Sequence, residues 1–386
     1  MPSEQAAETF DFVIAGAGSA GCVLANRLSE NGRYSVALVE GGGRDNWIWF
    51  HIPVGYLFSI GNPRSDWMFS TEPVPGLNNR AVAYPRGKVL GGSSAINAMI
   101  YMRGQAADYD GWRDMGLAGW GWDDVLPIFK KHENSWRGAS DLHGVGGEWR
   151  VDRPRLTWEI LDRFIDAAEQ AGVPRSPDFN TGNNEGCGYF DVNQKDGVRW
   201  SAARGFLKPA LSRPNLKLFT ATLADRVLFD DKRAAGLLVW RNGAPQVLRA
   251  RREVILSAGS VASPGILERS GIGDGERLAS LGIGVVHHAP GVGENLQDHL
   301  QLRPIYKVSN VPTLNMLYRS LIRRAGMGLD YALRRRGPMT MAPSQLGAFT
   351  RSSDAFATPN IQFHIQPLSL NKFGESMHDF PAITVS

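Results

Sequence analysis

Apolar residues along the chain gather first in a short run, Phe12–Ala15, closed by Gly16. Four apolar residues bounded by glycine predict a buried strand. Cys22, Val23, Ala25 and Leu28 follow at helical spacing, and Asn31-Gly32 supply a C-cap. Val36–Val39 is a second apolar run, closed by Glu40 and three glycines. Strand, helix and strand within about 30 residues make a βαβ unit with a parallel pair. From Asp45 to Tyr84 the period is lost among aromatics, prolines and glycines, which predicts an irregular excursion over the first domain. Helical spacing returns over Glu159–Ala171, stopped by Gly172 and Pro174. Leu216–Val239 predicts strands with a turn at Asp230-Asp231, and Glu253–Ser257 another buried strand. Leu314–Leu333 has the pattern of one amphipathic helix, ended by Gly337-Pro338. Asn360–Gln366 alternates as a half-buried strand, and Ala382–Ser386 is a further strand, either the last of a finished domain or part of an interrupted sheet. No internal repeat and no low-complexity segment is present.

Composition narrows the class. At 386 residues the chain exceeds one ordinary hydrophobic core, so two domains are expected. A hydrophobic fraction of 43% with 21% charged residues excludes wholesale disorder. Forty-two basic against 38 acidic side chains leave a net charge of +4, which asks for no nucleic-acid partner. Cys22 and Cys187 cannot build a disulfide framework, which fits a reducing compartment. Met1–Glu8 lacks the basic start of a signal peptide, and no apolar stretch nears the ~18 residues of a membrane span. The expectation is a soluble cytoplasmic protein.

The sharpest chemical signal is Gly16-Ala-Gly18-Ser19-Ala20-Gly21 with Glu40 downstream. Gly16 permits the tight turn out of the strand, Gly18 lets main chain approach a pyrophosphate, and Gly21 lets the helix pack close. The diphosphate would sit on free N–H groups at the helix start. Glu40, 19 residues after Gly21, can accept the hydroxyls of an adenosine ribose. This predicts adenine-dinucleotide binding but does not separate FAD from NAD. A second turn, Pro85-Arg-Gly87-Lys-Val-Leu-Gly91-Gly92-Ser93-Ser94-Ala-Ile-Asn97, puts a glycine pair before two serines able to cap a helix. It fits main chain pressed against a flat ring or a phosphate, and it equally fits a bulge or a capped helix.

Gly87–Asp110, GKVLGGSSAINAMIYMRGQAADYD, resembles the first signature of the glucose–methanol–choline (GMC) flavoprotein oxidoreductases, and Gly259–Gly273 resembles the second. Asp178-Phe-Asn180, Arg199-Trp-Ser201 and Gly291–His299 also fit in the family's order, closest to its choline-dehydrogenase-like branch. The resemblance implies an α/β fold. A Rossmann-like FAD-binding domain with a parallel sheet would comprise 9–46, 84–115 and 212–300. Segments 47–83 and 116–150 would form cover or lid excursions. An α+β substrate domain over 151–211 and 301–386 would hold an antiparallel sheet, incomplete at the C-terminus.

It further implies FAD held at its ADP half by Gly16, Gly18, Ser19, Ala20, Gly21 and Glu40. Val89, Gly91, Ser93, Asn97, Ala98 and Ile100 would line the rest of the cofactor, and the backbone of Val227 the adenine. Where some members attach FAD through a histidine, this chain has Ile96, so non-covalent FAD is expected. The implied reaction oxidises an alcohol, a CH–OH donor, by hydride transfer to flavin N5, with a quinone or dioxygen as electron acceptor. The family's general base is a C-terminal histidine paired with His or Asn. Both lie beyond Ser386, so the chain is expected to be a catalytically incomplete fragment with no catalytic residue of its own.

Other readings are weighed beside this one. A redox-neutral hydroxynitrile-lyase-type flavoprotein shares the fold, a non-catalytic flavin-binding fragment needs no base, and an NAD-dependent dehydrogenase has no use for the GGSSAIN turn. His364, on a predicted strand, fits an ordinary hydrogen-bonded core histidine better than a substitute base. His287 and His288 point to opposite faces, and His51, His132, His143, His299 and His378 lack zinc spacing, so no metal is expected. Ser93 and Ser201 lack the context of a hydrolase nucleophile. The arginines of 314–336 fit a solvated face, with a patch touching anionic lipid as the second reading. The aromatics of Trp47–Phe69 fit a packed cover or an entrance lid.

Overall fold

The computed structural model describes residues 7–371 and 375–386, so the acidic start at 1–6 lies outside the described residues. The chain forms two compact units. One comprises Met1–Trp47, Ser59–Asn97 and Ser201–His299; the other comprises Ile48–Phe58, Ala98–Trp200 and Leu300–Ser386.

In the first unit the strands are β1 (Glu8–Ala15), β2 (Val36–Val39), β3 (Leu216–Phe219), β4 (Thr222–Asp230), β5 (Arg233–Arg241) and β6 (Ala244–Leu256). They form one sheet in the order β3-β2-β1-β6-β5-β4. Neighbours among β3, β2, β1 and β6 run parallel, and β6-β5-β4 is an antiparallel meander. The sheet is therefore mixed rather than purely parallel. β1 and β2 are interior strands, which is why their sequences are nearly continuous apolar runs. Val13, Ala15, Ala37, Val39, Leu237, Val239 and Leu248 make the core of this unit. Strand β6 is longer than the sequence pattern suggested, because its first half pairs with the start of β1 (Glu8 opposite Leu248). Helices α1 (Ser19–Ser29) and α2 (Gly259–Arg269) follow β1 and β6 after short turns.

The second unit holds a five-stranded antiparallel sheet in the order Ile305–Lys307, Ala382–Val385, Ile361–Gln366, Leu346–Thr350, Gly186–Tyr189. Ala382–Val385 is an interior strand here, bonded on both sides. Helix Glu159–Gln170 turns Leu161 and Ile165 onto a core with Cys187, Leu346 and Ile365. The helix expected over Leu314–Leu333 is two, Leu314–Arg319 and Leu321–Arg334. Ser320 leaves helical geometry between them, and its hydroxyl accepts the Arg323 N–H at 3.3 Å.

These boundaries differ from those read in the sequence. Residues 59–83 belong to the first unit, where Asp66 accepts from the N–H groups of Gly61, Met68 and Arg86 and pins the excursion. Residues 98–150 belong to the second, where Ile100-Tyr101 pairs with Asp191-Val192 and Arg103 meets Glu133 at 3.0 Å.

Candidate functional site

A cavity of about 830 Å³ opens in the first unit at the carboxyl ends of β1, β2 and β6. In a doubly wound sheet that is the edge where ligands bind. Gly16 and Gly21 are required by backbone conformation and packing. Gly16 has φ +100°, and a Cβ on Gly21 would lie 1.9 Å from the Gly16 carbonyl oxygen, so α1 rests directly on the turn that starts it. Gly18 has no atom closer than 4.0 Å to where a Cβ would stand, and its face opens into the cavity.

The second glycine turn comes to the same place. The Gly91 N–H donates to the Ala17 carbonyl at 2.8 Å, and a Cβ on Gly92 (φ +53°) would stand 2.7 Å from Gly18 Cα. Turns separated by some 70 residues are thus in backbone contact, and a Cβ on Gly92 would find no room between them. The serines do not cap a helix as the sequence suggested. Gly92–Ala95 is a single 3₁₀ turn. Ser93 Oγ accepts the Gly87 N–H at 3.1 Å, while Ser94 Oγ donates to the Gly91 carbonyl and accepts the Ala202 N–H at 2.9 Å. Both hydroxyls brace the turn, Ser94 as donor and acceptor and Ser93 as acceptor.

Glu40 ends β2 with its side chain buried. One carboxylate oxygen accepts the Ala17 N–H at 3.0 Å and the other the Gly42 N–H at 2.8 Å. Burial pushes its pKa up to about 7, against the pull of those two donors. Each oxygen keeps lone pairs for further donors on the cavity side.

The structure brings Gly16, Gly18, Ser19, Ala20, Glu40 and Ser93 onto one wall. Gly21, Val89 and Gly91 stand behind it: Val89 is buried and bridges Gly43. The Asn97 N–H donates to the Ser93 carbonyl. Ala98 and Ile100 belong to the second unit, Ile100 opposite Val192 in a two-stranded ribbon. Val227 does not line the cavity. It packs in the core, and its N–H is taken by Ser270 Oγ at 2.8 Å; the part of β4 that faces the cavity is Thr222–Asp225.

Several lining residues had escaped the sequence reading. The start of α2, Ala258–Ser263, lies on the wall, so the N-termini of two eleven-residue helices border one cavity. Both present a positive dipole end and unbonded N–H groups, the requirement of a doubly charged pyrophosphate. The signal was present: Ala258-Gly259 directly follows an apolar strand, as Gly16 does. Trp67, Phe69 and Arg86 close another side, with Lys88 Nζ 4.9 Å from the Trp67 ring centroid. Trp67 and Phe69 sit in the stretch without periodicity, where pattern carries no information, and Arg86 stands at the start of the second glycine turn. At the β4 end, Asp225 and Arg269 face each other at 3.4 Å.

In the second unit, spacing could not reveal a buried charge chain. Arg103 meets Glu133 at 3.0 Å; His143 Nδ1 meets Glu133 at 3.2 Å, and Nε2 meets Asp178 at 2.7 Å. The bond to Asp178, then that to Glu133, raises the His143 pKa to about 9. His364 is a packed strand residue, its ring 5.3 Å from that of Phe190 and its Nε2 against the Gln362 amide.

A pair of apposed glycine turns, two helix N-termini, a buried carboxylate and a cofactor-sized volume define a dinucleotide site of the Rossmann class. The comparisons narrow it. Residues 10–301 match the family described as GMC oxidoreductase. The oxygen-dependent choline dehydrogenase of Pectobacterium carotovorum subsp. carotovorum (strain PC1) is 42% identical over 386 residues, covering 97% of this chain and 68% of that protein. The mitochondrial choline dehydrogenase of Homo sapiens is 40% identical over 93% of this chain and 62% of its own length. Among solved structures, pyridoxine 4-oxidase from Mesorbium loti superposes with a TM-score of 0.82 at 28% identity, over 97% of this chain and 71% of that one. An FAD-dependent oxidoreductase from Chaetomium thermophilum gives 0.84 at 26%, over 97% and 74%. The chain belongs to the GMC oxidoreductase family, whose members are FAD-dependent enzymes. It spans about two thirds of the length of the curated relatives it matches.

Proposed function

We propose that this chain is the flavin-holding part of an oxidoreductase acting on a small alcohol, with choline the first substrate to try. The observation that carries the reading is the backbone contact between the turns at Gly18 and Gly92, a cradle with no room for a side chain on Gly92. FAD, when bound, would supply the hydride acceptor for oxidation of the alcohol. The residues present hold and orient it. The N–H groups at the starts of α1 and α2 receive the pyrophosphate. Glu40 accepts from the ribose hydroxyls, and those donors draw its carboxyl back toward the ionised form. Gly92 and Ser93 continue the cradle toward the ring, and the buried aliphatic Ile96 leaves the cofactor non-covalent. The base and the final electron acceptor are not assigned to residues of this chain; dioxygen, from the relatives' name, is the acceptor to test first.

The experiment has two stages. Titration of flavin-free protein with FAD, followed by quenching of flavin fluorescence, should saturate at one equivalent, and a protein that ignores FAD refutes the reading. Choline and related alcohols are then offered with a dye acceptor. Reduction of the dye supports alcohol oxidation, whereas cleavage of a cyanohydrin without any acceptor replaces it with lyase chemistry.

A further inference from the structure

Helix Leu321–Arg334 is fixed to the second unit by one face only. Tyr331 is buried with its hydroxyl donating to the Gly197 carbonyl at 3.1 Å, and Met327 packs against the core around Leu314 and Met341. Ile322, Ala325, Leu329 and Ala332 recur at the spacing of one stripe, joined at its ends by Leu321 and Leu333. This stripe faces solvent: Ile322 is 86% exposed, Leu321 75%, Leu333 73% and Leu329 61%. A helix that leaves so many large aliphatic side chains in water has a second partner.

The charges around it say which kind. Residues 314–336 hold six arginines, at 319, 323, 324, 334, 335 and 336, and one carboxylate, Asp330, already 3.6 Å from Arg334. Arg155 extends the collar, its Nε donating to the Arg335 carbonyl at 2.9 Å. Arg319 precedes the stripe and Arg334, Arg335 and Arg336 follow it, and an apolar stripe between basic ends complements a surface that is apolar below and anionic above. A second copy of this face would oppose like charges. At 1.5 Å per residue, 14 residues span about 21 Å, too short to cross a bilayer core of about 30 Å, so the helix would lie along the surface.

We propose that helix Leu321–Arg334 docks on an anionic lipid surface, with its aliphatic stripe among the acyl chains and the arginine collar at the phosphates. The inference does not depend on the flavin assignment. Flotation of the whole chain with vesicles tests it, comparing phosphatidylcholine alone with an equimolar mixture of phosphatidylcholine and phosphatidylglycerol. Binding is expected to the mixed vesicles only and to weaken as salt is raised. Ile322→Asp with Leu329→Asp should weaken it about tenfold or more, and Arg323→Glu with Arg336→Glu should abolish its salt dependence; all four positions are exposed, so the fold is kept. Cys22 and Cys187 are buried, so a spin label on Ile322→Cys reports the stripe alone and should become protected from polar relaxants on binding. Absence of binding, equal binding to both vesicles, or binding untouched by the aspartates overturns the proposal. So does self-association removed by those same aspartates, which would assign the face to a second copy.

Discussion

Glu40 carries a carboxyl into a place that favours its neutral form, against the pull of two backbone N–H groups. In the flavin-free protein the folded state holds that proton up to about pH 7, whereas an unfolded glutamate releases it near 4.5. Across that window the folded state binds more protons, so stability falls as pH rises through it. Glu40→Gln should flatten this slope in thermal melts. It should also bind FAD about 10–100-fold more weakly, the cost of losing a charged acceptor for the ribose hydroxyls. A melt profile equally steep in both proteins would remove Glu40 from this role. The glycines divide by what a methyl group would strike. Gly92→Ala drives a carbon to 2.7 Å from Gly18 Cα and should weaken FAD binding at least tenfold, whereas Gly43→Ala meets nothing within 4 Å and serves as the silent control. Gly21→Ala collides with a backbone carbonyl at 1.9 Å and should cost about 3 kcal/mol of stability, read by denaturant unfolding.

The buried pairing at His143 ties together separate stretches of the second unit. It joins strand Glu133–Ser135 to the 176–180 turn, and the groups around it are Glu133 and Asp178, then Arg103, Arg137, Asp191 and Tyr101. An unfolded histidine releases its proton near 6.5, while this one holds it to about 9. Its stabilisation is therefore complete below about pH 6.5 and disappears as pH rises through 9. It amounts to about 3–4 kcal/mol at about 1.4 kcal/mol per pH unit. His143→Gln should melt well below the wild type at pH 7, and the gap should close near pH 10; a gap constant with pH refutes the charged pairing. Such a cluster is invisible to spacing because Arg103, Glu133, His143 and Asp178 are 10 to 75 positions apart and no periodicity links them. The apolar runs at Phe12–Ala15 and Val36–Val39 were legible because interior parallel strands must be apolar on both faces. Glu159–Gln170 was legible because its stripe is regular. The break at Ser320 was not, since a capping serine changes no apolar spacing. Of the site, the glycine fingerprint and Glu40 could be read from residue type, while Trp67, Arg86 and Thr222–Asp225 reach the cavity through tertiary structure alone.

At the scale of the whole molecule, one ligand meets a chain whose first unit is drawn from three separated stretches of sequence. A ligand that binds only the folded form stabilises it by RT ln(1 + [L]/Kd), about 2.7 kcal/mol at a hundredfold excess over Kd. That energy enters through the turns it touches, so hydrogen exchange should report where it enters. On saturation with FAD, protection should rise at 16–21, 87–93, 222–225 and 257–263, four stretches distant in sequence that each contribute residues to one cavity. In the second unit, the amides of Leu346–Thr350 and Ile361–Gln366 are already bonded in their own ladder and supply an internal reference. Protection gained at 16–21 without 257–263 would mean that α2 takes no part in holding the diphosphate. The site would then reduce to a single helix start of the ordinary Rossmann kind, and the wall formed by Ala258–Ser263 would need another explanation.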